Sequence, residues 1–230
     1  TAGVELARRV VMGSFKNVFI AGDVGPLGVR LAPFGRVKPE EARDAFREQI
    51  KGLLDAGVDL ILIETMTDLF EVHEAVEAAH ELDPKIPIAA SMTYTRDDRT
   101  LLGDSPASVA RSLNNACVDL IGVNCSGGPL QILRILKQMR MAVPNGNFMV
   151  MPNAGWPEQV GGRIMYPAAP DYFGEYALAF RKNGACVIGG CCGTTPAHIA
   201  AMSKALINAP VPDPAETSFS IGSVSMVNSS

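Results

Sequence analysis

The folds open to this chain are limited most by a rhythm in its sequence. Short, nearly continuous apolar runs alternate with stretches of helical period. The runs fall at 18–21, 60–63, 86–90, 120–123, 148–151 and 187–188. Continuous rather than alternating hydrophobicity is what a parallel strand covered on both faces requires. Between them, 39–56 places Ala42, Ala45, Phe46, Ile50, Leu53 and Leu54 on one helical face and stops at Gly57. The stretch 70–82 repeats the pattern with Val72, Ala75, Val76 and Ala79, and Ser105-Pro106 offers a cap and a first-turn proline for a helix to about Ala116. Further helices are expected at 130–141, 172–183 and 196–207.

One helix followed by six strand–helix units implies parallel strands with right-handed crossovers, in a barrel or in an open doubly wound sheet. A dinucleotide-binding sheet would carry Gly-x-Gly-x-x-Gly after an early strand, and the sequence has none. Polar or special residues instead follow almost every strand: Asp23, Glu64, Thr93, Asn124 with Cys125, Asn153, and Cys191 with Cys192. Functional groups spread over many strand ends are the habit of a (βα)8 barrel. The expectation is therefore an α/β protein, a (βα)8 TIM barrel with six of its eight strands, truncated at the N-terminus. The barrel would occupy 1–208 without its first two βα units. Residues 209–230, rich in Pro, Ser and Val without a clear period, read as a linker or disordered tail.

Composition narrows the function. The 230 residues carry a net charge of −4 and no basic stripe, which argues against nucleic-acid partners. No apolar stretch approaches the roughly 20 residues that span a bilayer, and no export signal is visible, so no membrane partner and a cytoplasmic location are expected. Five cysteines, two of them adjacent, do not form the pattern of a secreted disulfide framework. Cys117 and Cys186 lie in apolar contexts and read as small buried hydrophobes.

The other three cysteines carry the chemistry. Gly189-Gly190-Cys191-Cys192-Gly193-Thr194-Thr195-Pro196 ends an apolar run in two thiols and a helix start. Neighbours on an extended strand point to opposite faces, so for Cys191 and Cys192 to bind one ion the backbone must leave the extended form. The flanking glycines supply that freedom, Thr195 caps the next helix and Pro196 enters its first turn. Cys125, followed by Ser126-Gly127-Gly128-Pro129, repeats the logic at another strand end. Three thiolates at about 2.3 Å from Zn²⁺ leave one tetrahedral position open, the mark of a catalytic rather than a structural site. A thiol of pKa about 8.5 is mostly protonated at neutral pH and becomes a thiolate on zinc, so another thiol is the natural substrate. Three unrelated core thiols, or a vicinal disulfide at 191–192, are the alternatives.

Gly122-Val123-Asn124-Cys125 and Gly189-Gly190-Cys191-Cys192-Gly193, with 66 positions between Cys125 and Cys191, resemble the zinc motifs of the homocysteine S-methyltransferases. That family includes the homocysteine module of cobalamin-dependent methionine synthase and betaine–homocysteine methyltransferase. The resemblance covers about residues 1–208. It implies a zinc-bearing (βα)8 barrel that methylates the thiol of homocysteine to give methionine, with one Zn²⁺ per chain held by Cys125, Cys191 and Cys192. Glu64 matches the acid that holds the homocysteine amino group. The stretch 151–157, with Gly161-Gly162-Arg163 and Tyr166, is most similar to the bacterial fusion of this module with a methylenetetrahydrofolate reductase. The Asp-Gly motif of the family's first strand, and the pocket residues of its second, have no counterpart here.

Other residues carry weaker signals. Thr93 and Asn153, with Ser91, stand at strand ends where they could bind the substrate carboxylate, and Asn124 could orient the loop of Cys125. Asp23 fits a pocket rim or a turn equally well. His73, His80 and His198 belong to the outer helices as packing or solvent-facing residues, the methionines read as core filler, and Trp156 sits in a loop that could cover the pocket. Homocysteine is expected as the fourth zinc ligand, and a methyl donor to come from another domain or a small molecule, methylcobalamin or methyl-tetrahydrofolate being favoured. Two other readings stand beside this one. One is a phosphate-binding TIM-barrel lyase or aldolase using Gly127-Gly128 and Gly189-Gly190, which would want a Schiff-base lysine or histidine ligands at strand ends. The other is a non-catalytic truncated barrel module.

Overall fold

A computed structural model of the chain describes residues 1–14 and 18–209. Helix α1 (Ala2–Met12) leads to six strand–helix units: β1 (Ala21–Val24) and α2 (Pro39–Asp55), β2 (Leu60–Met66) and α3 (Leu69–Leu82), β3 (Ile88–Met92) and α4 (Pro106–Asn115), β4 (Leu120–Cys125) and α5 (Pro129–Ala142). The fifth strand, β5 (Phe148–Pro152), is followed by a hairpin of β6 (Glu158–Val160) and β7 (Arg163–Met165), then α6 (Pro170–Lys182). Strand β8 (Ala185–Ile188) and α7 (Pro196–Asn208) close the series. The linker or tail expected at 209–230 lies, apart from Ala209, outside the described residues.

The main sheet runs β1-β2-β3-β4-β5-β8, every pair parallel. A doubly wound sheet reverses its strand order at a switch point. This one advances in a single direction, so the six units are consecutive staves of a (βα)8 barrel, open between β1 and β8. All five residues of β3 are buried, as are Ile61 and Ile63 of β2, Val123 of β4, and Phe148 and Val150 of β5. Fully burying side chains of this kind contributes about 1.5–3 kcal/mol each. Helices α2 to α5 cover the outside through Phe46, Val76, Val109 and Ile132. A smaller cluster of Ala154, Phe173, Ala177 and Met202 joins α6 and α7 to the loop after β5.

Two sequence expectations are corrected. The first strand, expected at 18–21, begins at Ala21. The Asp59 carboxylate takes the Ile20 N–H at 2.6 Å, and the ladder starts one residue later, at Ala21 against Leu60. The same device recurs at Asp119, whose carboxylate takes the Ile88 N–H at 2.8 Å. Val58-Asp59-Leu60-Ile61 and Val118-Asp119-Leu120-Ile121 are thus two copies of one strand-entry motif.

The second correction concerns Cys117 and Cys186, which are exposed. Cys117 occupies the turn where the first copy of that motif has Gly57; both adopt positive φ (58° and 81°), a left-handed position that projects the side chain into solvent. Cys186 lies on β8, an edge strand of the sheet, which no further strand covers among the described residues. No helix among the described residues is long and apolar enough to cross a membrane.

Candidate metal centre

The C-terminal ends of β4, β5 and β8 meet at one point of the rim. Strand β4 ends in two consecutive residues of positive φ, Cys125 at 55° and Ser126 at 53°. Non-glycine residues seldom adopt this conformation, and here it swings the Cys125 thiol out of the ladder. Ser126 pins the turn: its hydroxyl accepts the Tyr94 N–H at 2.8 Å and donates to the Asn124 carbonyl at 3.0 Å.

The second thiol loop is tied to β5. Cys191 N–H donates to the Pro152 carbonyl and Ala154 N–H to the Cys192 carbonyl, both at 2.9 Å. Thr194 closes the turn by donating its hydroxyl to the Cys191 carbonyl at 2.7 Å. Of the three flanking glycines, Gly193 alone needs torsional freedom, at φ 77°, and a Cβ there would lie 2.2 Å from the Tyr166 ring. Gly190 is needed for space instead, since a Cβ would meet Thr194 Cγ2 at 2.6 Å.

Asn153 joins the two loops. Its Oδ1 accepts the Cys192 N–H at 3.0 Å, its Nδ2 donates to the Ser126 carbonyl at 3.4 Å, and its N–H donates to the Gly127 carbonyl at 3.1 Å.

The result is a triangle of sulfurs. Cys125 Sγ lies 3.8 Å from Cys192 Sγ, Cys191 Sγ lies 3.9 Å from Cys192 Sγ, and all three fall within 4.8 Å of one another. Ligands about 2.3 Å from a tetrahedral zinc stand about 3.8 Å apart, and two edges of the triangle have that length. A vicinal disulfide is excluded, because its sulfurs would be about 2.05 Å apart, and all five cysteines are free. The thiols already share protons unequally. Donation from Cys191 holds the Cys125 thiol below its ordinary pKa, and the same contact, with burial, drives that of Cys191 far up. Among the described residues this is the one cluster of three or more metal-ligating side chains.

Glu64 stands next to the triangle at the end of β2, half-buried. Burial first, then the nearby Asp23 carboxylate, raises its pKa. Fully buried Asn124 links the two. Its Nδ2 donates to Thr65 Oγ1 at 2.8 Å and reaches toward Glu64 Oε2 at 3.4 Å and Cys191 Sγ at 3.8 Å, while its Oδ1 accepts from Thr65 N–H and Ser91 Oγ, both at 2.9 Å. Thr93 braces β4 from β3, donating its hydroxyl to the Asn124 carbonyl at 3.1 Å. The site thus gathers Cys125, Cys191, Cys192, Glu64, Asn124 and Asn153, with Asp23 at its edge.

The histidines remain apart on the outer helices: His73 pairs with Ser112 Oγ at 2.8 Å, and His198 takes the Thr195 N–H at 3.1 Å and packs edge-on against Phe173. None of the six strands of the main sheet carries the lysine or histidine that a lyase or aldolase would want. Sequence reasoning gave Ser126 no role and Tyr166 none beyond the resemblance. The Tyr166 ring lies over Gly193, and its phenol is held above its usual pKa by burial and then by the Cys192 thiol. Their partners are remote in sequence, so no local signal announces them.

A barrel-type α/β fold with three converging thiols on its rim defines a class, barrels that offer three sulfur ligands at the C-terminal end of parallel strands. A family model for homocysteine S-methyltransferase matches residues 1–206, and the chain belongs to that family. It is 34% identical over 221 residues to methionine synthase of Mycobacterium tuberculosis, an alignment covering 92% of this chain and 18% of that protein. The chain therefore spans under a fifth of the length of this curated relative. Among solved structures it is similar to the homocysteine methyltransferase MmuM from Escherichia coli. The apo form has a TM-score of 0.71 at 26% identity, covering 88% of this chain and 71% of that one. The metallated form has a TM-score of 0.67, also at 26% identity, covering 87% and 68%.

Proposed function

We propose that Cys125, Cys191 and Cys192 hold one Zn²⁺ and that the protein transfers a methyl group to the thiol of homocysteine, giving methionine. The observation that carries this reading is the sulfur triangle, whose 3.8 and 3.9 Å edges suit three ligands of one tetrahedral ion. Zinc bound there would supply an electron-rich centre on which an incoming thiol loses its proton at neutral pH and stays nucleophilic.

The chain's own residues do the rest. Glu64 receives the substrate ammonium: it is half-buried beside the Asp23 carboxylate, and among the described residues no cation pairs with it. A bound ammonium offsets both the burial and the like charge, which is why such a carboxylate recognises a cation well. Asn153 and Asn124 hold the thiol loops at fixed separation, so the substrate sulfur meets an arranged site. The Asn153 amide, which donates to the Ser126 carbonyl and lies against the Cys125 thiol, turns one of its protons to the substrate carboxylate. Thr93 gives its single hydroxyl proton to the Asn124 carbonyl and joins that contact by rotating. The methyl donor is brought to the open rim by another domain or as a small molecule, methylcobalamin and methyl-tetrahydrofolate being preferred. A reducing compartment, the cytoplasm, is proposed because the site needs three free thiols. Residues 1–208 are proposed to be one methyltransferase barrel unit, in which two further strand–helix units would fill the gap between β8 and β1.

Metal analysis tests this directly. The protein purified with zinc should hold one ion per chain, and Cys125→Ser should lose it and, with it, calorimetric binding of homocysteine. A metal-free protein, or a Cys125→Ser variant that keeps its zinc, would overturn the assignment.

A further inference from the structure

Beside the thiol loops lies a second concavity, a pocket of about 450 Å³ between the first turn of α5 and the loop that follows β5. Arg96, Leu130, Gln131, Arg134, Trp156 and Tyr172 form its walls. Its polar groups are unequally satisfied. Arg134 is matched by Asp98, at 3.1 Å to each carboxylate oxygen. Arg96 lies against the Trp156 indole, 4.5 Å from the ring, and no carboxylate pairs with it among the described residues. A guanidinium stacked on an aromatic face leaves its N–H edge free for an anion.

Gln131 is 4% exposed. Its Nε2 is committed to the Thr95 carbonyl at 2.7 Å and Asp98 Oδ1 at 2.9 Å, which fixes the amide's orientation. Its Oε1 is buried without a hydrogen-bond partner. That oxygen and the Trp156 indole flank the same point: a Cβ placed on Gly127 would be 2.3 Å from Gln131 Oε1 and 2.6 Å from Trp156 Nε1. A buried acceptor left unpaired costs about 1–3 kcal/mol, so a donor that reached it would be held firmly. The first turn of α5 adds the positive end of a helix dipole to the same wall. Leu130 and Tyr172, with Pro167, supply flat apolar surface.

We infer that this pocket binds a planar organic carboxylate carrying a hydroxyl or amine. Its anionic end meets Arg96 and the α5 terminus, its ring lies against the aromatic and apolar walls, and its donor reaches Gln131 Oε1 as Trp156 swings aside. No metal is involved, so the inference stands independently of the zinc assignment.

Trp156 is the chain's single tryptophan, and its indole N–H therefore gives one resonance in a nitrogen-correlated NMR spectrum of the full chain. Titration with 4-hydroxybenzoate should move that resonance saturably. The neutral analogue 4-hydroxybenzamide and inorganic phosphate should not move it at matched ionic strength. Arg96→Met, a change at an exposed side chain, should weaken the apparent affinity about tenfold, as loss of a charge-assisted hydrogen bond does. Cys125→Ser should leave the response intact. A resonance that does not move, that responds equally to the amide or to phosphate, or whose apparent affinity is unchanged in Arg96→Met would overturn the inference. Loss of the response in Cys125→Ser would place the anion at the thiol centre instead and overturn it equally.

Discussion

At the scale of single residues, the site rests on a few atoms that leave no room for substitution. Gly193 has φ 77° and the Tyr166 ring on its open side, whereas Gly161 has φ 56° and nothing within 4 Å. Alanine at Gly161 therefore meets only the left-handed backbone penalty of about 1–2 kcal/mol. Alanine at Gly193 meets that penalty and displaces Tyr166 as well. Chemical denaturation of the two variants should rank Gly193→Ala as the more destabilised, and zinc affinity should fall in that variant alone. Glu64 yields a pH prediction. Its pKa is raised by burial and by Asp23, so its ionised fraction grows as pH climbs through a window above the usual carboxylate range. Homocysteine affinity, measured by calorimetry, should rise with pH across that window and lose this dependence in Glu64→Gln. For folding the sign is opposite: the protonated carboxyl favours the native state, and that contribution is lost as pH rises through the folded-state value. Glu64 and the three cysteines were legible in the sequence because each ends an apolar run. Ser126 and Tyr166 were not, because what makes them matter are contacts with Tyr94 and Gly193, distant along the chain.

Among the elements, the strand-entry motif that appears twice explains both a success and an error of sequence reading. Apolar runs located every strand of the main sheet, but they do not set where its hydrogen bonding begins. The first ladder consequently starts at Ala21, past the point where the run begins, once the Asp59 carboxylate has taken the Ile20 N–H. The comparison of Gly57 with Cys117 carries a prediction, since Cys117 holds a left-handed turn that glycine adopts without penalty. Cys117→Gly should stabilise the fold by about 1 kcal/mol, read as a higher denaturation midpoint; an unchanged or lower midpoint would contradict the assignment of that turn. The β6–β7 hairpin escaped the hydrophobic pattern because all of its strand residues are exposed. Its turn carries a signal that went unused: Gly161-Gly162, both at positive φ, is a favoured hairpin pair.

For the whole molecule, the direction of the strand order, more than the number of strands, separates a barrel from a doubly wound sheet. The gap between β8 and β1 leaves apolar side chains uncovered on both sides, among them Phe19 at 78% and Ile199 at 46% exposure. A groove of about 330 Å³ between β8 and α7, lined by Ile188, Met202 and Leu206, belongs to the same face. Two added strand–helix units that fill the gap should lower binding of a hydrophobic dye and raise the thermal midpoint; no change in either would count against closure at this face. The barrel architecture itself was readable from the alternation of elements. The open edge followed from the two absent units, but Cys186 was read from its apolar neighbours in sequence alone, and so looked buried. The central claim is that three sulfurs grip one ion and leave a position for a fourth. X-ray absorption at the zinc edge of the metal-loaded protein tests it most directly. The account predicts three sulfur neighbours without homocysteine and four with it, whereas four sulfurs from the outset, or a spectrum indifferent to homocysteine, would contradict it.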